Sequence, residues 1–192
     1  MTHKNSPIKY YFIDNFNTKN LNNLGNNIGI IYRNYSEKPK EKDLIILNNF
    51  FKTKNYKLFL SNNIKLAMKL NLNGAYIPSF NNKINHLSYN MKKKFILLGS
   101  AHNHKEIREK KKQKVKTVFI SSLFKKNKNF LGLNRFRILS SNTKLNIIAL
   151  GGINKINEKK LNLINCKGFA GISYFQKKTA SQGGRLNYLI GT

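Results

Sequence analysis

A chain of 192 residues that is 40% apolar is long enough to form one domain with a sizeable core. Its single cysteine, Cys166, excludes an internal disulfide and a zinc site built from cysteines, as expected in a reducing compartment. The net charge of +29 is carried by lysines spread along the whole chain, together with many Asn, Ile, Phe and Tyr, whose codons are rich in adenine and thymine. We therefore predict no nucleic-acid partner, although such a surface still attracts phosphorylated small molecules.

Taken in chain order, eight short apolar runs alternate with longer stretches that are compatible with helices. The runs cover residues 10–14, 28–32, 57–60, 74–77, 95–99, 117–121, 146–150 and 168–172. Amphipathic segments between them include residues 41–51, 64–70, 105–112 and 158–164. This alternation predicts parallel strands covered by helices, and eight units predict a closed (β/α)8 TIM barrel. The barrel must be compact, because that fold usually takes about 250 residues and this chain is shorter. The alternative is a doubly wound open sheet.

We assign residues 1–176 to the barrel domain and residues 177–192 to a C-terminal tail. The tail contains Gly183 and Gly184 and is a poor helix former, so we expect it to be non-helical. No apolar run approaches the length that spans a bilayer, and none follows the charges at the N-terminus. We therefore expect a cytoplasmic location and no membrane partner.

Glycines lie at the ends of the last two predicted strands, at the places where phosphate groups bind in barrels of this kind. Gly151 and Gly152 come directly after the apolar run 146–150, and the run 168–172 follows fifteen residues later. A glycine pair between a buried strand and a helix lets the backbone approach a phosphate, which the free N–H groups then hold. The carboxyl ends of strands seven and eight are a common phosphate site in TIM barrels.

Five segments, in this order and at this spacing, resemble one known family. They are residues 96–103, which end in Ser-Ala-His-Asn and precede a helix with Glu106; residues 117–124; residues 131–136, with Leu-Gly-Leu and Phe136; residues 149–154, with Gly-Gly; and residues 168–172. The family is that of thiamine phosphate synthase and the TenI-like thiazole tautomerases. In it, strand five ends in Ser-Thr-His or Ser-Val-His and strand six in Gly-Pro-Ile-Phe. The resemblance extends over residues 10–175.

The resemblance implies an enzyme of thiamine biosynthesis. A thiamine phosphate synthase couples hydroxymethylpyrimidine diphosphate to thiazole phosphate and releases diphosphate, so both partners are phosphorylated small molecules. The implied substrate-binding residues at the strand ends are Arg33, Ser61, Ser100, Ser122, Gly151, Gly152, Ile172 and Ser173. Among them, Arg33 would grip diphosphate and Ser100 would contact the pyrimidine. The implied catalytic lysine is Lys128, or a neighbour among Lys125 and Lys126, because these stand near the family's strand-six lysine. A homodimer is possible, since dimers are common in the family.

The chain departs from the family where the family binds Mg²⁺. The resemblance implies an aspartate after strand three and a second carboxylate after strand four, but these segments read Ser61-Asn62-Asn63 and Ser79-Phe80-Asn81. Amides therefore stand where carboxylates are expected. Because Mg²⁺ prefers charged oxygen ligands, we predict no metal ligand; Mg²⁺ is possible but would be held weakly, and a working synthase would have to replace metal charge with lysine charge.

Two alternatives stay open beside the synthase. Residues 76–79 resemble the tautomerase branch, whose strand-six histidine position is Ser122 here; the nearest histidine is His102, a candidate acid or base that could equally hydrogen-bond a neighbouring loop. The second alternative is a non-catalytic thiazole phosphate-binding or regulatory protein that lost the metal site. His3, His86 and His104 are expected to face solvent.

Overall fold

Eight parallel strands close into a barrel in which every strand pairs with its neighbours along the chain. The computed structural model describes residues 8–15, 21, 24–25 and 27–175. The strands are β1 (Ile8–Ile13), β2 (Ile28–Tyr32), β3 (Lys57–Ser61), β4 (Gly74–Ile77), β5 (Ile96–Ala101), β6 (Thr117–Ile120), β7 (Asn146–Leu150) and β8 (Gly168–Gly171). The barrel closes because β1 also pairs with β8, with Ile8 opposite Gly168. The predicted TIM barrel is confirmed, and the open sheet was the wrong alternative.

Four α-helices and two 3₁₀ helices lie outside the strands of the described chain. The helices are α1 (Glu41–Thr53), α2 (Ile64–Lys69), α3 (His104–Lys112) and α4 (Gly132–Ser141), and the 3₁₀ helices are Asn85–Ser88 and Glu158–Leu163. The connections β4–β5 and β7–β8 thus carry a 3₁₀ helix where a larger barrel has an α-helix. These short connections explain how the barrel closes within so few residues. The predicted tail, residues 177–192, lies outside the described residues, as does His3.

The inside of the barrel is filled by side chains from all eight strands. The inward-facing residues are Tyr10, Phe12, Ile31, Phe59, Tyr76, Leu98, Phe119, Ile148 and Ala170. Their aromatic rings pack edge to face, with centroid distances of 4.9 Å between Tyr10 and Phe119 and 5.4 Å between Phe12 and Tyr76. Such tilted contacts add stability beyond the burial of area. The barrel therefore has a packed aromatic core, and its interior is filled by side chains rather than open to a ligand.

A buried lysine anchors the β4–β5 connection to α3. The Lys110 Nζ donates hydrogen bonds to the carbonyl oxygens of Pro78 and Asn81, both at 2.7 Å, and to Gln113 Oε1 at 2.9 Å. Gln113 in turn donates to the carbonyl oxygens of Asn81 and Lys83. Burial lowers the pKa of Lys110 to about 8. These contacts hold in place a long connection that has no α-helix of its own.

His86 is part of the same anchor, so the expectation that it faces solvent was wrong. Its side chain is 4% exposed, and its Nε2 lies 2.9 Å from the Gln113 carbonyl oxygen. The β4–β5 connection has a 3₁₀ helix in place of an α-helix, and this 3₁₀ helix brings His86 inward against the end of α3. His104, by contrast, is exposed, as predicted. None of the helices among the described residues is long and apolar enough to cross a membrane.

Candidate functional site

The predicted substrate-binding residues of β2, β3 and β5 lie at the carboxyl-terminal mouth of the barrel. Side chains alternate between the two faces of a strand, so residues two positions beyond an inward-facing residue face the same way. Ile31, Phe59 and Leu98 face inward, and Arg33, Ser61 and Ser100 follow them by two positions. The structure thus brings these three polar side chains to one end of the barrel, as the sequence predicts.

Arg33 lies over the aromatic floor of this mouth. Its guanidinium carbon is 4.6 Å from the centroid of the Phe12 ring, a cation–π contact. Beneath it the Tyr76 hydroxyl hydrogen-bonds the Ser100 side chain, and burial raises the pKa of Tyr76 to about 12. Tyr76 is therefore protonated at neutral pH. The floor combines one fixed cation with two hydroxyl groups, an arrangement suited to an anionic ligand with polar ring atoms.

Two exposed aromatic rings form a rim above Ser61. Tyr35, after β2, and Phe80, after β4, contact each other with ring centroids 5.7 Å apart. The Tyr35 hydroxyl lies 3.2 Å from Ser61 Oγ. The two side chains are 56% and 67% exposed, respectively. Large exposed aromatics beside a polar mouth are typical of ligand-contacting residues. The sequence prediction missed both, because nothing in the one-dimensional pattern indicates that the two loops meet.

The two amides that replace the expected carboxylates hydrogen-bond each other. Asn81 Nδ2 donates to Asn62 Oδ1 at 2.7 Å. One amide oxygen is therefore occupied by a donor that a metal ion would have to displace. No group of three or more His, Cys, Asp or Glu that could hold a metal occurs in the described part of the chain. Asp14, the one acid that directly follows a strand, is exposed. These residues do not fit a Mg²⁺ site.

The glycine turn after β7 packs against the loop between β6 and α4. Gly151 and Gly152 have φ values of +104° and +75°, conformations that favour glycine. The Gly151 carbonyl oxygen accepts from the amides of Phe124 at 2.8 Å and Lys125 at 3.3 Å. A Cβ at residue 152 would lie only 2.6 Å from the Lys125 nitrogen. Close packing of two backbones thus requires the glycines, a reason that the sequence interpretation did not include.

The same turn still offers an amide to a ligand. Within the described residues, the Gly152 N–H donates no hydrogen bond, while its carbonyl oxygen accepts from Asn157 Nδ2 at 2.8 Å. Leu150 of β7 is paired with Ala170 of β8, so the turns after both strands begin at the same level. Ile172 and Ser173 of the second turn are exposed. The four predicted phosphate-site residues therefore follow adjacent strand ends.

Tyr174 connects the two turns. Its hydroxyl donates to Glu158 Oε2 at 2.6 Å and accepts from Lys155 Nζ at 2.7 Å. The Lys155 ammonium also lies 4.5 Å from the centroid of the Tyr174 ring. Burial is the largest cause that raises the pKa of Tyr174. This bridge holds the turn after β8 to the segment after β7, and the sequence motifs contained no sign of it.

Ser122 and Lys128 belong to the loop that covers the glycine turn. Ser122 is 3% exposed, and its Oγ donates to the Lys125 carbonyl oxygen at 2.8 Å. The Ser122 hydroxyl is thus used inside the loop. Lys125, Lys126 and Lys128 are exposed, and the ammonium groups of these lysines have no hydrogen-bond partner among the described residues. Three free cations therefore stand beside the predicted phosphate site.

His102 contacts the end of β6. Its Nδ1 lies 2.8 Å from the Ser121 carbonyl oxygen, and because a carbonyl only accepts, Nδ1 donates this hydrogen bond. The local sequence sets this position. Asn103 caps α3 by accepting from the Glu106 amide, and Glu106 Oε2 accepts from the His102 amide at 2.7 Å. The structure thus shows a hydrogen bond from His102 to a neighbouring loop, and the catalytic role of His102 stays a prediction.

Comparison with known proteins gives one family and one fold. A family model described as thiamine monophosphate synthase matches residues 29–175. A thiamine phosphate pyrophosphorylase from Pyrococcus furiosus has a TM-score of 0.70 at 17% identity, over 86% of this chain and 85% of that chain. Another from Bacteroides thetaiotaomicron has a TM-score of 0.60 at 16% identity, over 88% and 84%.

A structure described as native KDPGal gives a TM-score of 0.66 at 10% identity, over 90% of this chain and 86% of that chain. Likeness at these identities establishes the fold alone. No curated protein sequence matches this chain. The family model covers far more than half of the chain, including every strand from β3 to β8 and every strand end discussed above except that of β1. The chain belongs to the thiamine monophosphate synthase family.

Proposed function

We propose that this protein couples hydroxymethylpyrimidine diphosphate to thiazole phosphate and releases diphosphate. The observation that carries the proposal is that the glycine turn after β7 and the turn after β8 lie side by side within the matched family region. The Gly152 N–H is available there, between the loop with Lys125, Lys126 and Lys128 and the exposed Ser173. That arrangement suits the phosphate of the thiazole substrate. Arg33, across the mouth, suits the diphosphate of the other substrate.

The reaction needs charge stabilisation more than proton transfer. The bond between the pyrimidine methylene carbon and the diphosphate oxygen breaks, and both of its electrons leave with diphosphate. The thiazole nitrogen then donates its lone pair to the methylene carbon and forms the new carbon–nitrogen bond. Cations held near the departing oxygen lower the barrier to the first step. Arg33 and the exposed ammonium groups of Lys125, Lys126 and Lys128 supply them in this proposal.

The polar floor and the aromatic rim have separate roles in this proposal. The hydrogen-bonded pair of Tyr76 and Ser100 would contact the polar edge of the pyrimidine, since both hydroxyls are protonated at neutral pH. The exposed rings of Tyr35 and Phe80 would cover its flat face. Substrate orientation by such contacts contributes to catalysis by bringing the reacting atoms into line. Ile172 and Ser173 would complete the thiazole phosphate contacts.

The pair Asn62–Asn81 favours a reaction without a resident metal ion, and it is also the observation that favours the second candidate. A family member that lost its carboxylates can keep the phosphate site and bind thiazole phosphate without turnover. A tautomerase is less favoured, because Ser122 stands at that branch's histidine position and its hydroxyl donates to the Lys125 carbonyl oxygen. The cytoplasmic location and a homodimer stay predictions.

The test is to incubate the purified protein with both substrates and measure thiamine phosphate, once with Mg²⁺ and once with a chelator. The proposal expects product in both conditions. Product only with Mg²⁺ would support the synthase and contradict the reading of the amide pair. Binding of thiazole phosphate by calorimetry without product would support the non-catalytic candidate. Absence of both binding and product would refute the placement of phosphate at the glycine turn.

A further inference from the structure

A second cavity lies outside the barrel wall, between α2 and the β4–β5 connection. We call it the His86 cavity; its volume is about 230 Å³, and its lining includes Asn62, Lys65, Ile77, Lys83, His86 and Tyr89. Ile77 packs in the outer core and not among the inward-facing residues of the barrel. Asn62 and Asn81, which follow β3 and β4 at the mouth, also line the cavity, so the cavity adjoins the mouth from outside the barrel wall. Its volume is below the usual 300 Å³ of pockets for drug-sized ligands, which points to a smaller occupant.

His86 presents an unused acceptor to this cavity. Its Nε2 lies 2.9 Å from the Gln113 carbonyl oxygen, so Nε2 carries the hydrogen and Nδ1 the lone pair. The side chain is 4% exposed, yet Nδ1 has no hydrogen-bond partner among the described residues. Every fully buried side-chain nitrogen or oxygen in the described chain has a partner. Nδ1 is therefore reached from the cavity that His86 lines.

The remaining charges of the cavity are positive. Lys65 and Lys83 contribute to its lining, and no Asp or Glu does. The Lys65 ammonium lies 5.6 Å from the Tyr89 ring centroid, which places it over that ring. Behind the wall, the buried ammonium of Lys110 binds the Asn81 carbonyl oxygen at 2.7 Å. Asn62 adds an Nδ2 donor, because its Oδ1 already accepts from Asn81. The cavity thus favours an anion.

We propose that the His86 cavity binds a small phosphate-bearing anion, with Lys65, Lys83 and Asn62 Nδ2 contacting its charged oxygens and His86 Nδ1 accepting from its P–OH group. Most anion sites offer donors only. Here the imidazole, whose Nε2 hydrogen faces the Gln113 carbonyl oxygen, offers Nδ1 as one acceptor, and a monoprotonated phosphate carries both the charge and the single donor that this set requires. Sulfate has the same shape and charge but no proton at neutral pH. The cavity should therefore distinguish the two ions, and this does not depend on the proposed reaction at the mouth.

The test follows the ring nitrogens of His86 by NMR in the full chain at pH 8, during titration with inorganic phosphate. The signals are assigned by their loss in His86→Gln. The proposal expects a saturable shift of the Nδ1 signal with phosphate and none with an equal concentration of sulfate. Lys83→Met should weaken the phosphate response about tenfold, the effect of one lost charged hydrogen bond. Lys93→Met, an exposed lysine of the same connection that does not line the cavity, is the matched control.

Arg33→Met separates this site from the barrel mouth. Phosphate in the His86 cavity should shift the His86 signal equally in this variant and in the natural chain. A response that disappears in Arg33→Met but survives in Lys83→Met would place the ion at the mouth and overturn the proposal. No saturable shift, or the same shift with sulfate, would overturn it as well. Titration with diphosphate in the same series then shows whether the cavity accepts a free phosphate or the larger product ion.

Discussion

Replacing Gly151 by alanine should destabilise the protein more than the same change at Gly132, another glycine with a positive φ. Gly151 has a φ of +104°, and an added Cβ would lie 2.4 Å from Ser122 Oγ and 2.9 Å from Ser122 Cα. Gly132 has a φ of +65°, but its Cβ would meet only ring carbons of Phe130, at 3.5 and 3.8 Å. Both variants carry the left-handed penalty of about 1–2 kcal/mol. Only Gly151→Ala also forces two backbone segments apart.

The extra cost can be worked out from the contacts that must move. Displacing the loop lengthens the hydrogen bonds from the Phe124 and Lys125 amides to the Gly151 carbonyl oxygen, now 2.8 and 3.3 Å. At about 1 kcal/mol each, their loss adds about 2 kcal/mol to the left-handed penalty. Gly151→Ala should then lose about 3–4 kcal/mol, against about 1–2 for Gly132→Ala.

Urea unfolding of both variants measures this difference, and thermal unfolding provides a second reading. A gap of about 2 kcal/mol corresponds to a melting temperature about 4–8 °C lower for Gly151→Ala than for Gly132→Ala, given the size of this chain. Equal losses in the two variants would refute the conclusion that the β6–α4 loop is packed against the glycine turn. Equal losses would also indicate that Gly151 and Gly152 serve ligand binding alone.

Three further predictions concern charge. Burial lowers the pKa of Lys110 to about 8, so the unfolded chain holds more protons than the folded chain between pH 8 and 10. The free energy of unfolding should therefore rise by about 2–3 kcal/mol across that range. Urea unfolding measures this rise, and it should be smaller in Lys110→Met. Arg33→Met should weaken diphosphate binding at least about tenfold by calorimetry, while Arg108→Met, exposed on α3, should leave it unchanged; equal affinities would remove Arg33 from the site. The double variant Asn62→Asp with Asn81→Asp places two carboxylates where the amides now lie 2.7 Å apart. Mg²⁺ should raise the melting temperature of this variant but not of the natural chain. A metal effect in the natural chain would contradict the conclusion that the amide pair does not fit Mg²⁺.

The barrel could be predicted from the sequence because hydrophobic runs are local signals. The bounds of β2, β4 and β7 agree with the predicted runs residue for residue, and the other strands differ by one or two residues at one or both ends. Arg33, Ser61 and Ser100 were assigned to the mouth by the family resemblance, which matches each of them to a strand end. The amphipathic segment 158–164 was also found, but as a 3₁₀ helix rather than an α-helix. Periodicity indicates a buried face without distinguishing the two kinds of helix in so short a segment.

The rest depends on contacts between loops far apart in the sequence. Tyr35 and Phe80 meet only because the β2 and β4 connections converge at the mouth. His86 turns inward only because its connection lacks an α-helix. The packing role of Gly151 appears only when the backbone of residue 125 is placed beside the turn. Each of these needs the closed barrel first, and a single sequence contains no local pattern that encodes it.

Two backbone hydrogen bonds fix the β6–α4 loop at positions close together in the sequence, and this limits how the protein can close over a bound anion. One end of the loop is fixed by the Lys125 amide on Gly151, and the other by the Asn129 carbonyl oxygen, which accepts from the Ser122 amide at 2.8 Å. Only residues 126–128 hang between them, a span of at most about 10 Å when extended. A ligand here must be bound by lysine side chains that change rotamer while the backbone stays in place. The exchange rate of small anions at this site should therefore be limited by side-chain rotamer changes rather than by loop motion.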